Sequence, residues 1–407
     1  MNTILKVGLL CLLLFSQHSF AQPISIGTRL SLESDILKEE RPLLIYLPPS
    51  YYSNSDQKFP VLYILDGDYN FQYVTGLIEL QSSISEKIPE MIVVGISGKG
   101  TQAYRRNCKP KIEGVEDSGN ASEMVQFIES ELFPYMKENY KTNDYRILGG
   151  HSIGGLFVID TAMDHPRLFN QYIAISPALW WADKAIHKKA KKIFKDNPNF
   201  KSDVYVSLAD EKGMEVEPFL KIANSSFKFK QFENENHNSV GEPTYKWALN
   251  TTFEKWQVKK LYFDGSEAFK NYHVQVMENF GTDFNIPNGI LGYTNYTLKK
   301  NASELAATKK IVAENYPESV AYFDSLLAGN FIENKELEEA EALLMETLAV
   351  YPQSFEVLQK LSEVKAAQND STQANLFIEQ AIAYAAVQRV RQWQMNELIE
   401  ARELLNK

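Results

Sequence analysis

The chain has 407 residues, a formal net charge of −10 and 44% hydrophobic residues. At ~100–200 residues per domain, this length predicts two domains and supplies enough apolar side chains for a core in each. The acidic balance argues against a polyanionic partner such as nucleic acid. The one basic cluster, Lys184 to Lys195, is interpreted as the solvated face of a helix with Ile186 and Phe194 on its apolar side.

The N-terminus has the pattern of a cleavable secretory signal. Lys6 precedes the apolar run Val7 to Phe15, and Ser19-Phe20-Ala21 supplies small residues at the −3 and −1 positions. The run is shorter than the ~20 apolar residues of a membrane span, and no later segment qualifies as one. We therefore expect export to the periplasm or the extracellular space, with residues 1–21 removed. Without Lys6 the net charge of −10 becomes −11, and Cys108 remains as a single cysteine, so no intramolecular disulfide is expected.

Before about residue 260, apolar strand-like runs alternate with helical patterns. The predicted strands are Pro23 to Leu32, Pro42 to Leu47, Val61 to Leu65, Met91 to Ile96, Tyr145 to Leu148, Tyr172 to Ile175, Val204 to Leu208 and Phe227 to Phe232. Several are apolar throughout, which is typical of strands buried on both faces. The clearest helical periodicity runs from Ser122 to Tyr140. This alternation predicts an α/β fold with a mostly parallel sheet between helices.

After about residue 260 the strand signal disappears and a loose repeat begins. Asn315 to Ser319 resembles Val350 to Ser354 at an offset of 35 positions, close to the ~34-residue period of tetratricopeptide repeats. Small or apolar residues occupy the positions at which such helix pairs pack. These residues are Leu327, Ala328, Phe331, Ala340, Leu344, Leu358, Leu361, Ala374, Ile378 and Ala381. Thr347, Ser362 and Lys365 depart from the consensus, so the repeats are degenerate and few.

These patterns divide the chain into four parts. We expect a signal peptide at residues 1–21, an α/β domain at 22–259, a connecting helical segment at 260–300 and an all-α tetratricopeptide-like domain at 301–407. The composition shift near residue 260 is the main reason for the boundary between the two folded parts.

The strongest local motif is Gly150-His151-Ser152-Ile153-Gly154, which lies between a predicted strand and the helical stretch Gly155 to Met163. In that context it is a G-x-S-x-G nucleophile elbow. The chain reverses so sharply at the serine that flanking side chains would collide, and glycine removes the collision. The serine then lies at a helix N-terminus, which favours negative charge. The context predicts that Ser152 is a nucleophile, whereas the pentapeptide alone is also compatible with a glycine-rich turn.

A serine nucleophile needs a base and an orienting acid, which in this fold follow it in the order acid, then histidine. His237 comes after the last predicted strand, and the other histidines lie in the elbow, before the acid or beyond the sheet. Asp210 and Glu211 both follow the strand Val204 to Leu208, and either can be the acid. Both loops come at the carboxyl ends of strands, where catalytic loops of open α/β sheets gather.

An oxyanion hole in this fold combines the N–H after the nucleophile with an N–H from the loop after the third strand. The first is that of Ile153, and the second is that of Asp68 in the turn Leu65-Asp66-Gly67-Asp68. A solvated acidic turn is the alternative interpretation of this loop. The scattered histidines and the absence of paired-cysteine or H-E-x-x-H spacing indicate no metal site, and there is no glycine-rich phosphate loop. No cofactor is expected.

Four ordered segments resemble one family of α/β-hydrolases. They are Tyr63 to Asp68, Gly150 to Gly155, Ile175 to Trp181 and Asn236 to Val240, within about residues 25 to 258. The family is the esterase family that includes siderophore (enterochelin-type) esterases, feruloyl esterases, esterase D-like enzymes and mycolyltransferases. The resemblance implies a serine-acid-histidine triad, no cofactor and an oxyanion donor at Asp68. In the siderophore branch the acid position looks more like a glutamate, which favours Glu211 over Asp210, although Leu208 to Glu211 departs from the glycine-bearing version.

That branch also carries an arginine-rich segment ending in proline, which Tyr104 to Pro110 resembles. Arg106 would then fix a substrate anion or carbonyl by paired hydrogen bonds. Because Asn107 replaces the expected aspartate, Arg106 is equally expected to anchor its own loop. Trp180 and Trp181 offer flat apolar surface for an aromatic or sugar ring, and core packing is the alternative for one of them.

The resulting hypothesis is a serine hydrolase that cleaves a carboxylic ester, of siderophore, feruloyl or acyl type, through an acyl-enzyme. A small-molecule ester is the expected partner. Acyl transfer to an alcohol uses the same triad and is the first alternative. The second is a catalytically silent binding or assembly protein whose helical repeats hold a protein partner, and a third role for the repeats is to extend or roof the active site.

Overall fold

The computed structural model describes residues 25–52, 57–98, 100–258, 260 and 262–406, so the signal-like segment 1–21 lies outside it. Eight strands form a sheet with the order β1-β2-β4-β3-β5-β6-β7-β8. They are β1 (Thr28–Ser34), β2 (Glu39–Tyr46), β3 (Phe59–Leu65), β4 (Ile92–Ile96), β5 (Thr142–His151), β6 (Gln171–Ile175), β7 (Val204–Ala209) and β8 (Phe227–Phe232). The β1-β2 and β2-β4 pairs are antiparallel and all other pairs are parallel. The predicted α/β-hydrolase class with a mostly parallel sheet is confirmed.

Burial along the strands follows their sequence. Every residue of β3, β4, β6 and β7 is buried, as expected for the continuously apolar runs of a sheet covered on both faces. Alternate residues of β3 enter different cores: Val61 and Tyr63 pack on one face of the sheet, Leu62 and Ile64 on the other. At the sheet edge, β8 exposes most of its residues, and its lysines protect that edge from further strand pairing.

Helices cover both faces of the sheet. In this region they are α1 (Gly67–Glu79), α2 (Thr101–Cys108), α3 (Ala121–Phe127), α4 (Phe133–Asn139), α5 (Ile153–Asp164), α6 (Trp181–Asp196), α7 (Val216–Leu220) and α8 (Gly241–Thr252). The predicted helix Ser122 to Tyr140 forms as α3 and α4, joined by a π-turn at Ile128–Leu132. The basic cluster lies on α6, whose Ile186 is buried.

The described residues from 262 onward form helices and turns and contain no strand. The helices are α9 (Ser266–Phe280), α10 (Asn288–Leu298), α11 (Ala302–Asn315), α12 (Val320–Glu333), α13 (Leu337–Val350), α14 (Phe355–Ala367), α15 (Ser371–Val387) and α16 (Gln392–Leu405). Within the described ranges, no helix is long and apolar enough to cross a membrane.

Helices α12 to α16 share a separate core, which includes residues that suggested the repeat. Among them, Ala328, Ala340, Leu344, Leu358, Leu361, Ala374, Ile378 and Ala381 are fully buried. The three departures from the consensus all have polar partners. Thr347 donates to Asp324 at 2.7 Å, Ser362 donates to the Ala374 carbonyl at 2.8 Å, and Lys365 pairs with Glu341 at 2.5 Å. The polar side chains that replace consensus residues therefore form hydrogen bonds or ion pairs within the helical region, so the degenerate sequence still packs.

The core does not end at residue 260. Tyr145, in β5, has ring contacts with Phe253, Phe280 and Phe284 at centroid distances of 5.7, 5.9 and 5.4 Å. One apolar cluster joins this face of the sheet to side chains as far along the chain as Leu327. The last strand thus ends at Phe232, well before residue 260, whereas apolar packing continues into the connecting segment 260–300.

The helical region lies at the amino-terminal ends of the parallel strands, opposite the elbow. Helix α1 starts at the carboxyl end of β3 and runs back to Glu79, which pairs with Arg391 at 3.1 Å. Beyond it, Glu86 accepts from the Gly289 N–H at 3.1 Å. A cavity of about 410 Å³ lies between the two parts, with Glu90 on one side and Glu356 on the other. These contacts place the repeats at the opposite end of the strands from the elbow. The hypothesis that the repeats roof the active site therefore does not hold.

Phe284→Ala should lower the free energy of unfolding of the whole protein by ~3–5 kcal/mol, because Phe284 is buried against Tyr145 and Phe253. Tyr293→Ala is the matched control from the same segment, since Tyr293 is exposed, and should change it by ~0.5 kcal/mol or less. Urea unfolding followed by circular dichroism measures both. A Phe284→Ala effect confined to a separate transition, with the main one unshifted, would mean that the connecting segment unfolds independently.

Candidate active site

The elbow has a strained backbone at Ser152. Strand β5 ends at His151, helix α5 begins at Ile153, and Ser152 between them has φ 57° and ψ −113°. Such values are unfavourable for a residue with a side chain and need support from the surroundings. The support comes from β6 and the loop after it: Ser152 N–H donates to the Ile175 carbonyl at 2.9 Å, and its carbonyl accepts from Ala178 N–H at 3.0 Å.

The glycines of the elbow are required by close contacts. A β-carbon at position 150 would lie 2.5 Å from the Gly154 carbonyl oxygen, inside van der Waals distance. A β-carbon at position 154 would lie 2.6 Å from the hydroxyl of Tyr104 on α2. A larger residue at either position would therefore require a local shift of the backbone or of Tyr104. This agrees with the sequence-based explanation of the motif, in which glycine avoids a collision beside the serine.

The loops after β7 and β8 bring a carboxylate to an imidazole. His237 Nδ1 lies 2.8 Å from Glu211 Oε2, and the pair is partly buried. Asp210, the other candidate acid, is exposed, and its backbone N–H donates to the Glu235 carbonyl at 2.9 Å. The backbone between the two acidic residues thus directs Glu211, and not Asp210, towards the histidine.

His237 also reaches the elbow. Its ring centroid is 4.5 Å from that of His151, with an angle of 41° between the ring planes. Among the described residues no hydrogen bond joins Ser152 to His237. Burial, and secondarily the neighbouring His237, lower the pKa of His151 to about 4. His151 is therefore neutral at ordinary pH.

Two helix N-termini supply the predicted oxyanion donors. Ile153 is the first residue of α5 and Asp68 the second of α1, so neither N–H has an acceptor within its own helix. Their loops are neighbours, because β3 and β5 pair in parallel with Ile64 opposite Gly149. The exposed Asp68 carboxylate pairs with Arg29 at 3.3 Å, which leaves its backbone as the candidate donor.

Asp66 begins this turn with a left-handed backbone, φ 55°. Burial, with a smaller contribution from Asp68, raises the pKa of Asp66 to about 6. A proton is thus retained more readily on this carboxyl than on an exposed aspartate, which limits the negative charge next to the candidate oxyanion hole.

The three candidate substrate-binding residues differ in exposure. Trp180 is 44% exposed, whereas Trp181 is 4% exposed and belongs to the core. The Arg106 side chain is about half exposed, with Nη2 at 3.5 Å from Glu39 and Nε donating to Asn107 at 3.4 Å. Trp180 is therefore free to contact a ligand, and Arg106 is partly engaged in anchoring its own loop.

The sequence profile of the family described as "Putative esterase" matches residues 34–280, which include β2 to β8 and all the candidate catalytic and substrate-binding residues. The chain belongs to this esterase family. The match extends past the sheet into α9, in agreement with the apolar core that continues beyond residue 260.

Several characterised relatives of this esterase are siderophore esterases. The ferri-bacillibactin esterase BesA of Bacillus subtilis is 26% identical over 202 residues, 45% of this chain and 66% of the relative. The siderophore triacetylfusarinine C esterase of Aspergillus fumigatus is 30% identical over 141 residues, 32% of this chain and 48% of the relative. The alignments thus span at most about two thirds of these relatives.

Solved structures share the fold. An IroE-like serine hydrolase from Shewanella oneidensis superposes with a TM-score of 0.56 at 23% identity, covering 70% of this chain and 96% of that one. An uncharacterised protein from Capnocytophaga ochracea superposes with a TM-score of 0.52 at 15% identity, covering 93% and 99%. Because that match extends over most of the chain, the combination of sheet and helical region occurs in both proteins.

Two residues of the candidate site were not assigned roles from the sequence. Tyr104 lies in the arginine-rich segment, and its hydroxyl donates to the His151 carbonyl at 3.4 Å beneath the elbow. His151 occupies the variable position of the motif, so the sequence gives no indication of its ring contact with His237.

Burial raises the pKa of the Cys108 thiol, so this cysteine is unreactive. Across the described ranges, no group of side chains is arranged to hold a metal ion.

Proposed function

We propose that the protein hydrolyses a carboxylic ester through an acyl-enzyme, with Ser152 as nucleophile, His237 as base and Glu211 as acid. The observation that carries the proposal is the 2.8 Å contact between His237 Nδ1 and Glu211 Oε2, on loops that converge on the strained elbow. Membership of the esterase family supports the reaction class.

Acylation follows from the roles of the three groups. Ser152 Oγ attacks the ester carbonyl carbon as His237 Nε2 takes its proton. Glu211 accepts the Nδ1–H of His237 and stabilises the imidazolium that forms. The N–H groups of Ile153 and Asp68 donate to the tetrahedral oxyanion. When the intermediate collapses, the ester C–O bond breaks and His237 returns the proton to the departing alkoxide, which leaves as an alcohol.

Deacylation repeats these steps with water in place of serine. His237 takes a proton from water as its oxygen attacks the acyl carbon, and the second tetrahedral intermediate uses the same oxyanion donors. Its collapse breaks the bond to Ser152 Oγ, which recovers its proton from His237, and a carboxylic acid leaves. Acyl transfer would differ only in having an alcohol as the second acceptor.

We propose a siderophore ester as the substrate class, because the relatives with named activities hydrolyse such esters. Trp180 presents an exposed indole on the loop after β6, suited to stacking against an aryl ring. Arg106 retains exposed guanidinium surface for a ligand anion. Feruloyl and simple acyl esters share the chemistry but lack the several ester bonds of a siderophore backbone.

A substrate panel tests this choice. Among a catecholate trilactone, methyl ferulate and an acetylated sugar, the trilactone should have a kcat/KM at least about tenfold above the others. Trp180→Ala should raise the KM for aryl esters by about tenfold and leave the acetyl ester unchanged, in line with the ~0.5–1.5 kcal/mol of an aromatic contact. Trp393→Ala, an exposed tryptophan in the helical region, is the control. Equal or better turnover of the ferulate or sugar ester would exclude the siderophore assignment.

We also propose that the mature protein acts in the periplasm or extracellular space and consists of an esterase domain to about residue 259, a connecting segment and helical repeats. The signal-like pattern of residues 1–21 and the strand content before residue 260 support this division. N-terminal sequencing of the exported protein should begin at Gln22.

A further inference from the structure

The imidazoles of His151 and His237 are in direct, tilted contact. Their centroids are 4.5 Å apart and their planes are inclined by 41°. His151 is the last residue of β5, whereas His237 comes from the loop after β8, so the contact joins the elbow to the loop of the proposed base. Glu211 lies within hydrogen-bonding distance of one ring nitrogen of His237, while the His151 ring contacts the same imidazole.

Placing a histidine here has an energetic cost. The Nε2 atom of His151 is buried and has no hydrogen-bond partner among the described residues. An unsatisfied buried nitrogen destabilises the fold relative to an apolar side chain of similar size. The elbow motif sets no requirement at this position, so apolar packing alone does not explain the choice of histidine.

His151 could lie beside His237 either as a neutral ring or as a second cation, and its pKa decides which. Burial and the proximity of His237 lower its pKa to about 4, against the opposing effects of a hydrogen bond to the His237 backbone and of the Glu211 carboxylate. Those two side chains, from the loops after β8 and β7, are the titratable groups that act on it most strongly. A proton gained by His237 during catalysis therefore faces a neutral π system, which attracts cations within about 6 Å of its centroid.

We propose that His151 is a positioning residue whose neutral aromatic ring stabilises the imidazolium form of His237 through a cation–π contact. The inference rests on the proposed function, in which His237 becomes positively charged in both transition states. It assigns a role to the variable residue of the elbow, separate from the backbone role of its neighbours.

The test compares an aromatic with two non-aromatic replacements. His151→Phe keeps a π face and should retain kcat within about threefold. His151→Leu fills similar space without a π face, and His151→Gln keeps hydrogen-bonding capacity; both should lower kcat about tenfold, the scale of a desolvated cation–π contact, with KM within about threefold.

Equal losses in all three variants, or wild-type kinetics in the Leu and Gln variants, would overturn the inference. Rescue by Gln and not by Phe would also do so, since it would assign a hydrogen-bonding role. Circular dichroism and melting of each variant identify any loss caused by misfolding. Failure of the proposed function would appear differently, as full turnover by Ser152→Ala whatever the residue at position 151.

Discussion

Replacing Ser152 by alanine is expected to abolish ester hydrolysis, with a fall in kcat of several powers of ten, about 10⁴-fold or more. The hydroxyl is the proposed nucleophile, and the backbone amides that remain give only the residual rate of an oxyanion hole. The elbow itself should persist, because a smaller side chain fits the same backbone held by Ile175 and Ala178. Steady-state kinetics on an aryl ester, with circular dichroism and melting as controls, measure the effect.

His237→Ala should be about as damaging, and the double variant Ser152→Ala/His237→Ala should be no worse than either single variant. Residues that act as one catalytic unit give non-additive losses. Residual activity of Ser152→Ala within about tenfold of wild type would reject the nucleophile. Additive losses in the double variant would mean that another group acts as base.

Glu211→Gln is expected to lower kcat by about 10²–10⁴-fold, since the amide cannot stabilise the imidazolium and favours the wrong tautomer of His237. Asp210→Asn is the matched control on the adjacent residue and should stay within about threefold of wild type, because the Asp210 side chain is exposed. The 2.8 Å distance from Glu211 Oε2 to His237 Nδ1 is the reason for this ranking. Purified variants compared on one ester at saturating concentration give the two kcat values.

The opposite ranking would transfer the acid role to Asp210. If both variants keep nearly full activity, the catalytic unit is a serine-histidine dyad. If both lose activity with unchanged melting, the two carboxylates act together, and the isolated Glu211–His237 contact is not a sufficient description of the site.

The sheet could be predicted well because its signal is local. All eight predicted strands occur. The inner strands β3, β4, β6 and β7 need continuous apolar runs because they are buried throughout, and polar residues mark the turns between strands. Their ends were less predictable: β5 extends from Thr142 to His151, beyond the apolar core Tyr145 to Leu148. The π-turn at Ile128–Leu132 also has no sequence signature, because it depends on how α3 and α4 pack.

The site could be predicted only as far as chain order and fold context allow. The elbow, His237 and a two-residue choice of acid follow from them, but the path of the loop after β7 decides which carboxylate turns inward. Trp180 and Trp181 illustrate the same limit. They are adjacent residues of the same type, yet Trp180 is exposed and Trp181 is buried. The position of the helical region depends on the contacts of the connecting segment, so the sequence left open whether the repeats roof the elbow.

The most direct test of the account is covalent labelling with a fluorophosphonate, followed by peptide mapping by mass spectrometry. We expect one adduct, on the peptide that contains Ser152, formed far more slowly in Glu211→Gln and lost in Ser152→Ala. A stoichiometric adduct on a different serine, or unchanged labelling of Ser152→Ala, would contradict the assignment of Ser152 as the nucleophile.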